Sequence, residues 1–169
     1  MLLGPFTATT GPYTVGATAD VFPAGRWFLV NPAGSAVVGM LGYIYLLSQL
    51  GSALAAPTSP RLTVCKFTFT GTPSGATITP AYDSQLVVPT LSLRSAATGM
   101  TMAKGADIHS FLPVASATAV GYTPPSDLTW QPPSPLILRA GEGVMLYQPD
   151  AGTVADTRRY TTTLSWQEQ

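Results

Sequence analysis

Residues 158–168 read RRYTTTLSWQE, and this stretch decides the fold class. Tyr160, Thr162, Leu164 and Trp166 fall on one side of a two-residue period, and Thr161, Thr163, Ser165 and Gln167 on the other. Side chains alternate across a β-strand, so the period predicts a strand with Tyr160, Leu164 and Trp166 facing a core. RLTVCKFTFT (61–70) repeats the pattern, with Cys65, Phe67 and Phe69 opposite Lys66, Thr68 and Thr70.

Turn chemistry separates further short strands. LILR (136–139) and VMLYQ (144–148) flank Ala140–Gly143, a tight turn with two glycines available for positive φ. RWFLVN (26–31) stops at Asn31-Pro32-Ala33-Gly34, and GTPSG (71–75) precedes a short strand, ATIT (76–79). VVPTLSLR (87–94) is broken by Pro89, which suggests an edge or a bend. Residues 95–107 read as irregular and Ile108–Val114 as a strand. TPPSDLTWQPPSP (123–135) holds five prolines and reads as a stiff extended connection. About eight strands are expected, in a β-sandwich or jelly roll spanning residues 26–169.

Residues 1–25 are rich in Gly, Pro, Thr and Ala and read as an extended N-terminal arm, either disordered or ordered against a neighbouring subunit. Its aromatic residues Phe6, Tyr13 and Phe22 are the candidate interface anchors. The uncharged run from residue 37 to 56 is long enough for a membrane helix. Gly39, Gly42, Ser48, Gln49, Gly51 and Ser52 interrupt it, however, and Val37, Val38, Tyr43, Ile44 and Tyr45 favour a strand. Residues 37–47 are therefore expected as a strand buried on both faces, leading to a loop or short helix. No membrane partner is expected.

Charged residues make up 9% of the chain and the net charge is zero, against about a quarter charged in ordinary domains. Threonine occurs 23 times, whereas Lys and Glu occur twice each. Long amphipathic helices are thereby disfavoured. So is nucleic acid as a partner, which requires clustered Lys and Arg. Low charge suits a surface covered by other subunits, in a homo-oligomer expected to be a trimer.

Residue chemistry points away from an enzyme. His109 is the single histidine and Cys65 the single cysteine; Cys65 shares its strand face with Phe67 and Phe69 and reads as a buried, inert thiol. The eight acids are dispersed, mostly in predicted loops. No catalytic, cofactor-binding or metal-ligating residue is assigned.

Three segments in order, TFTGTPSGATITPAYDS (68–84), LRSAATGMT (93–101) and PLILRAGEGVMLYQ (135–148), closed by the strand ending Leu164-Ser165-Trp166-Gln167-Glu168, carry a resemblance. Over roughly residues 61–169 the chain resembles small tailed-bacteriophage virion proteins of capsid decoration or auxiliary type, with a jelly-roll-like fold. Residues 1–60 lie outside that likeness. It implies a particle-surface or connector role without chemistry. The expectation is a cement subunit made in the host cytoplasm and bound on the capsid surface, with the major capsid protein or other virion proteins as partners. A tail, adaptor or fibre-base component is the alternative. A carbohydrate-binding module is the rival from another class, with Trp130 as its best aromatic.

Overall fold

A computed structural model of the chain describes residues 2–15, 18–49, 61–81, 88–96, 98–112, 127–151 and 159–169. Among them are eleven strands and no helix. These are β1 (Leu3–Thr9), β2 (Trp27–Val30), β3 (Gly39–Gln49), β4 (Leu62–Ser74), β5 (Thr77–Ile78), β6 (Ser92–Arg94), β7 (Thr98–Phe111), β8 (Asp127–Trp130), β9 (Leu136–Leu138), β10 (Glu142–Tyr147) and β11 (Arg159–Glu168). The protein is all-β, as its composition predicts, with two antiparallel sheets. A five-stranded sheet runs β1-β11-β3-β8, with β9 also paired to β3; a six-stranded sheet runs β5-β6-β2-β10-β4-β7.

The sheets pack through one large apolar cluster. The five-stranded sheet contributes Phe6, Ile44, Leu46, Tyr160, Leu164 and Trp166, and the six-stranded sheet Trp27, Leu29, Leu62, Val64, Val144 and Leu146. Tyr160, Leu164 and Trp166 have no solvent exposure, in accord with the period of two. A second cluster lies on the far side of the six-stranded sheet: Phe28, Val30, Cys65, Phe67, Phe69, Met145 and Tyr147, with Phe22, Met100 and Met102 packed against it. Successive residues of β2 thus alternate between two cores, which is why all of WFLV is buried.

This arrangement corrects the reading of the apolar run. Two-sided burial belongs to β2, β4 and β10, not to β3. In β3, Leu41, Ile44 and Leu46 are buried, while Met40, Tyr43, Tyr45 and Leu47 are only half-buried. Gly42 is the extra residue where the register with β11 shifts, between Ser165 and Trp166. Residues 50–56 of the run lie outside the described residues.

Other boundaries moved for identifiable reasons. Much of residues 95–107, expected as irregular, belongs to the 14-residue β7, which pairs with β4 through several register shifts. Period-two reading fails where bulges break the alternation. The proline-rich connection contains β8, because Asp127–Trp130 is a proline-free stretch that fits an edge position. Ala140–Gly143 does form a turn, with Gly141 at φ 76°. It joins β9 and β10 of different sheets, so it is a corner rather than a hairpin.

The N-terminal segment is not a detached arm. β1 pairs with β11 from Leu3↔Glu168 to Thr9↔Thr163. The main chain then stays attached through Thr10 N–H to the Thr162 carbonyl at 2.8 Å and Tyr13 N–H to the Tyr160 carbonyl at 2.9 Å. Alternating burial along FTA places Phe6 and Ala8 in the core, and the Phe6 ring lies 5.9 Å from that of Trp166.

Candidate functional site on the outer face of the five-stranded sheet

Inward Leu41, Ile44, Leu46, Tyr160, Leu164 and Trp166 leave the intervening residues to form the opposite surface. Strand pairing arranges them in rows. Thr9, Thr163, Tyr45 and Thr129 make one row, Thr7, Ser165 and Tyr43 the next, and Gln167, Met40 and Ile137 a third. No residue in these rows carries a charge. Thr9 Oγ1 and Thr163 Oγ1 share a hydrogen bond of 2.9 Å. Tyr43, Tyr45, Thr129, Gln131 and Thr163 line a shallow hollow of about 310 Å³. Such a surface offers phenol rings, hydroxyls and an amide, and can bind by packing and neutral hydrogen bonds.

Arg159 and Asp127 stand at one end of this sheet, in register with Gln49 and Leu47, whereas several other charged groups lie away from these rows and are engaged within the chain. Asp20 pairs with Arg26 at 2.9 Å and also accepts the Gln148 N–H. Glu142 meets Lys66 at 3.0 Å, and Asp150 meets Arg61 at 2.9 Å. Burial raises the Glu142 carboxyl, but the Arg139 N–H and Lys66 outweigh it and hold that group below the usual range. Asp83 and Asp156 lie outside the described residues.

One polar cluster sits at the margin of the second core. The Tyr147 hydroxyl donates to Asp107 Oδ1 at 2.9 Å and accepts from Lys104 Nζ at 2.7 Å. The ammonium lies 4.8 Å from the centre of the Tyr147 ring. Burial raises the Asp107 carboxyl, but hydrogen bonds from Tyr147 and Lys104 prevail and keep it ionised at lower pH than usual. Cys65 is nearby and buried. Burial first, then the Asp107 charge, pushes its thiol up to about 11, so little thiolate exists near neutral pH. Burial also raises the Tyr147 phenol. These shifts suit a hydrogen-bonded closure over Phe67 and Phe69 better than an activated nucleophile.

The three candidate anchors do not converge. Phe6 is a core residue at 1% exposure. Tyr13 is half-buried; its hydroxyl bonds Thr162 Oγ1 at 2.7 Å and its ring stacks on Tyr160 at 6.1 Å. Phe22 is half-buried against the second core. Trp130 is a core-edge residue, stacked on His109 with ring centroids 4.8 Å apart. Sequence reasoning missed Tyr43 and Tyr45, because a continuous apolar run does not reveal which face a second sheet covers. Their i, i+2 spacing places both on one side of the strand but does not say whether that side is covered.

No family model matches the chain, and no curated protein matches it.

Proposed function

We propose that this chain is a structural subunit of a virus particle, a head decoration or cement protein with a jelly-roll strand arrangement, acting through protein contacts rather than chemistry. The observation that carries the reading is the uncharged middle of the outer face of the five-stranded sheet, where the rows through Tyr45, Tyr43 and Met40 hold only neutral residues and the charged Arg159 and Asp127 enter only at one end, in register with Gln49 and Leu47. A subunit that packs repeatedly against neighbours gains from a face on which no ion must be stripped of water. The engaged state of Asp20, Asp107, Glu142, Asp150 and Glu168 also supports it, because none is left to act as a free acid or base.

Incubation of the purified protein with assembled heads and, separately, with free capsid subunits tests the role. Co-sedimentation with heads alone is the expected result. Equal binding to both, or to neither, would remove the cement reading.

One observation favours a second reading. The Tyr43–Tyr45 hollow has the aromatic and hydroxyl lining that suits a neutral sugar. A glycan array separates the two, since a carbohydrate-binding module gives saturable signals that Tyr45→Ala abolishes.

A further inference from the structure

We propose that the His109–Trp130 ring stack is an acid-released latch closing one side of the sandwich, a conformational device separate from the structural role proposed above.

His109 lies on β7, which borders the six-stranded sheet and, among the described residues, pairs only with β4. Trp130 lies on β8, which borders the five-stranded sheet and pairs only with β3. No ladder hydrogen bonds join these two borders, so side chains must hold them together. The imidazole lies flat on the Trp130 indole, with ring centroids 4.8 Å apart and planes 7° from parallel. It also meets the Phe111 ring edge-on at 4.7 Å. Val64 and Leu62 stand in register with His109 and Phe111, and Ile44 with Trp130. All three are core residues, and Ile108 and Leu128 pack beside them. Elsewhere the sheets are tied by hydrogen bonds, as where Glu168 accepts the Thr90 and Leu91 N–H groups.

Such packing suits a neutral imidazole. A proton places a charge in a half-buried aromatic site, and the described residues set no carboxylate against it. On β7, Asp107 lies in register with Cys65 on the far side of the sheet, bonded to Tyr147 together with Lys104. On β4, Arg61 pairs with Asp150, and Lys66, which shares the inward side with Val64, pairs with Glu142 of β10. On β8, Asp127 is in register with Leu47 and takes the outward side with Thr129. β3 has no charged residue. The attraction of a ring face for a cation is weak at a half-exposed site, whereas an unpaired charge held away from water is costly. The imidazolium therefore turns to solvent, and Trp130 loses the ring that covers it. Burial also lowers the His109 pKa, in accord with this geometry.

Tryptophan emission, acrylamide quenching and the His109 C2–H resonance, followed together on the full chain between about pH 8 and pH 5, test the proposal. The expected result is a red shift and a rise in quenching that share the midpoint of the His109 resonance, while far-UV circular dichroism stays constant. Trp27 and Trp166 have no exposure, so Trp130 dominates the change and Trp130→Phe should remove it. His109→Phe keeps a ring over the indole but cannot take a proton, and should abolish the transition. His109→Gln, the second variant, should show the red-shifted emission at every pH. A transition that persists in either variant would overturn the proposal, as would emission unchanged across the His109 titration. Quenching without a red shift, the mark of an imidazolium still stacked on Trp130, would overturn it too. So would optical changes that coincide with global loss of structure.

Discussion

The Glu168 carboxylate accepts the backbone N–H of Leu91 at 2.8 Å, joining the end of β11 in one sheet to the residue that leads into β6 of the other. Its second oxygen accepts the Thr90 N–H at 2.8 Å, and the Trp166 indole N–H reaches Oε1 at 3.2 Å. Glu168 is 1% exposed. A buried carboxylate is tolerated where N–H donors converge on it.

Glu168→Ala should therefore cost about 3 kcal/mol, because it leaves buried N–H groups without an acceptor. Glu168→Gln retains one carbonyl oxygen and should fall between alanine and wild type. Urea unfolding midpoints check the order. An alanine variant as stable as wild type would show that this clasp contributes nothing.

Gly143 in β10 tests close packing in the six-stranded sheet. A Cβ there would lie 2.5 Å from Phe67 Cζ and 2.8 Å from the Leu29 carbonyl oxygen. Gly143→Ala should lose about 2 kcal/mol or more, since the backbone oxygen cannot turn aside. Gly11→Ala, with nothing within 4 Å of its Cβ, should be close to neutral and serves as the control. Thermal melts of the pair provide the comparison.

Leu164→Asp should prevent folding. Leu164 has no exposure and lies in the core between the sheets, so the substitution adds an unpaired buried charge to the lost packing. A soluble variant with a normal cooperative melt would contradict that placement.

Cys65 should resist thiol reagents in the native protein. With its pKa pushed from 9.0 to about 11, its thiolate fraction near neutral pH is about 100-fold below that of the unfolded chain. Labelling kinetics with and without denaturant measure this, and Cys65→Ala should retain assembly competence. Rapid labelling of the folded protein would revive a nucleophilic role.

His109 should confer acid sensitivity. Burial against Trp130 and Phe111 lowers its pKa below the usual 6.5, so the folded state binds its proton less readily than the unfolded state. Its contribution is full above about pH 6.5 and is lost as pH falls through the depressed folded value. Asp107 and Glu142, also lowered, lose their contributions only at more acidic pH. As the single histidine, His109 gives one assignable C2–H resonance, whose midpoint should lie below 6.5. His109→Phe should remove the higher-pH part of the acid-induced loss.

Local repetition made the strands legible. Tyr160, Leu164 and Trp166 announced their inward face because the two-residue alternation is a property of a single strand and needs no partner to be read. Thr161 and Thr163 followed as part of the outward set. The arm reading failed at Phe6, whose burial depends on β11, more than 150 residues further along the chain. Tyr43 and Tyr45 lie in an apolar run that reads equally well as covered on one face or on both. Only the packing of the six-stranded sheet against Leu41, Ile44 and Leu46 decided which side was left open. Glu168 carried no signal at all, since its partners at residues 90 and 91 become neighbours only when the two sheets close. Side-chain alternation is set by backbone geometry within a few residues, whereas burial is set by which distant segment arrives on top; the first was written in the sequence and the second arose in the tertiary fold.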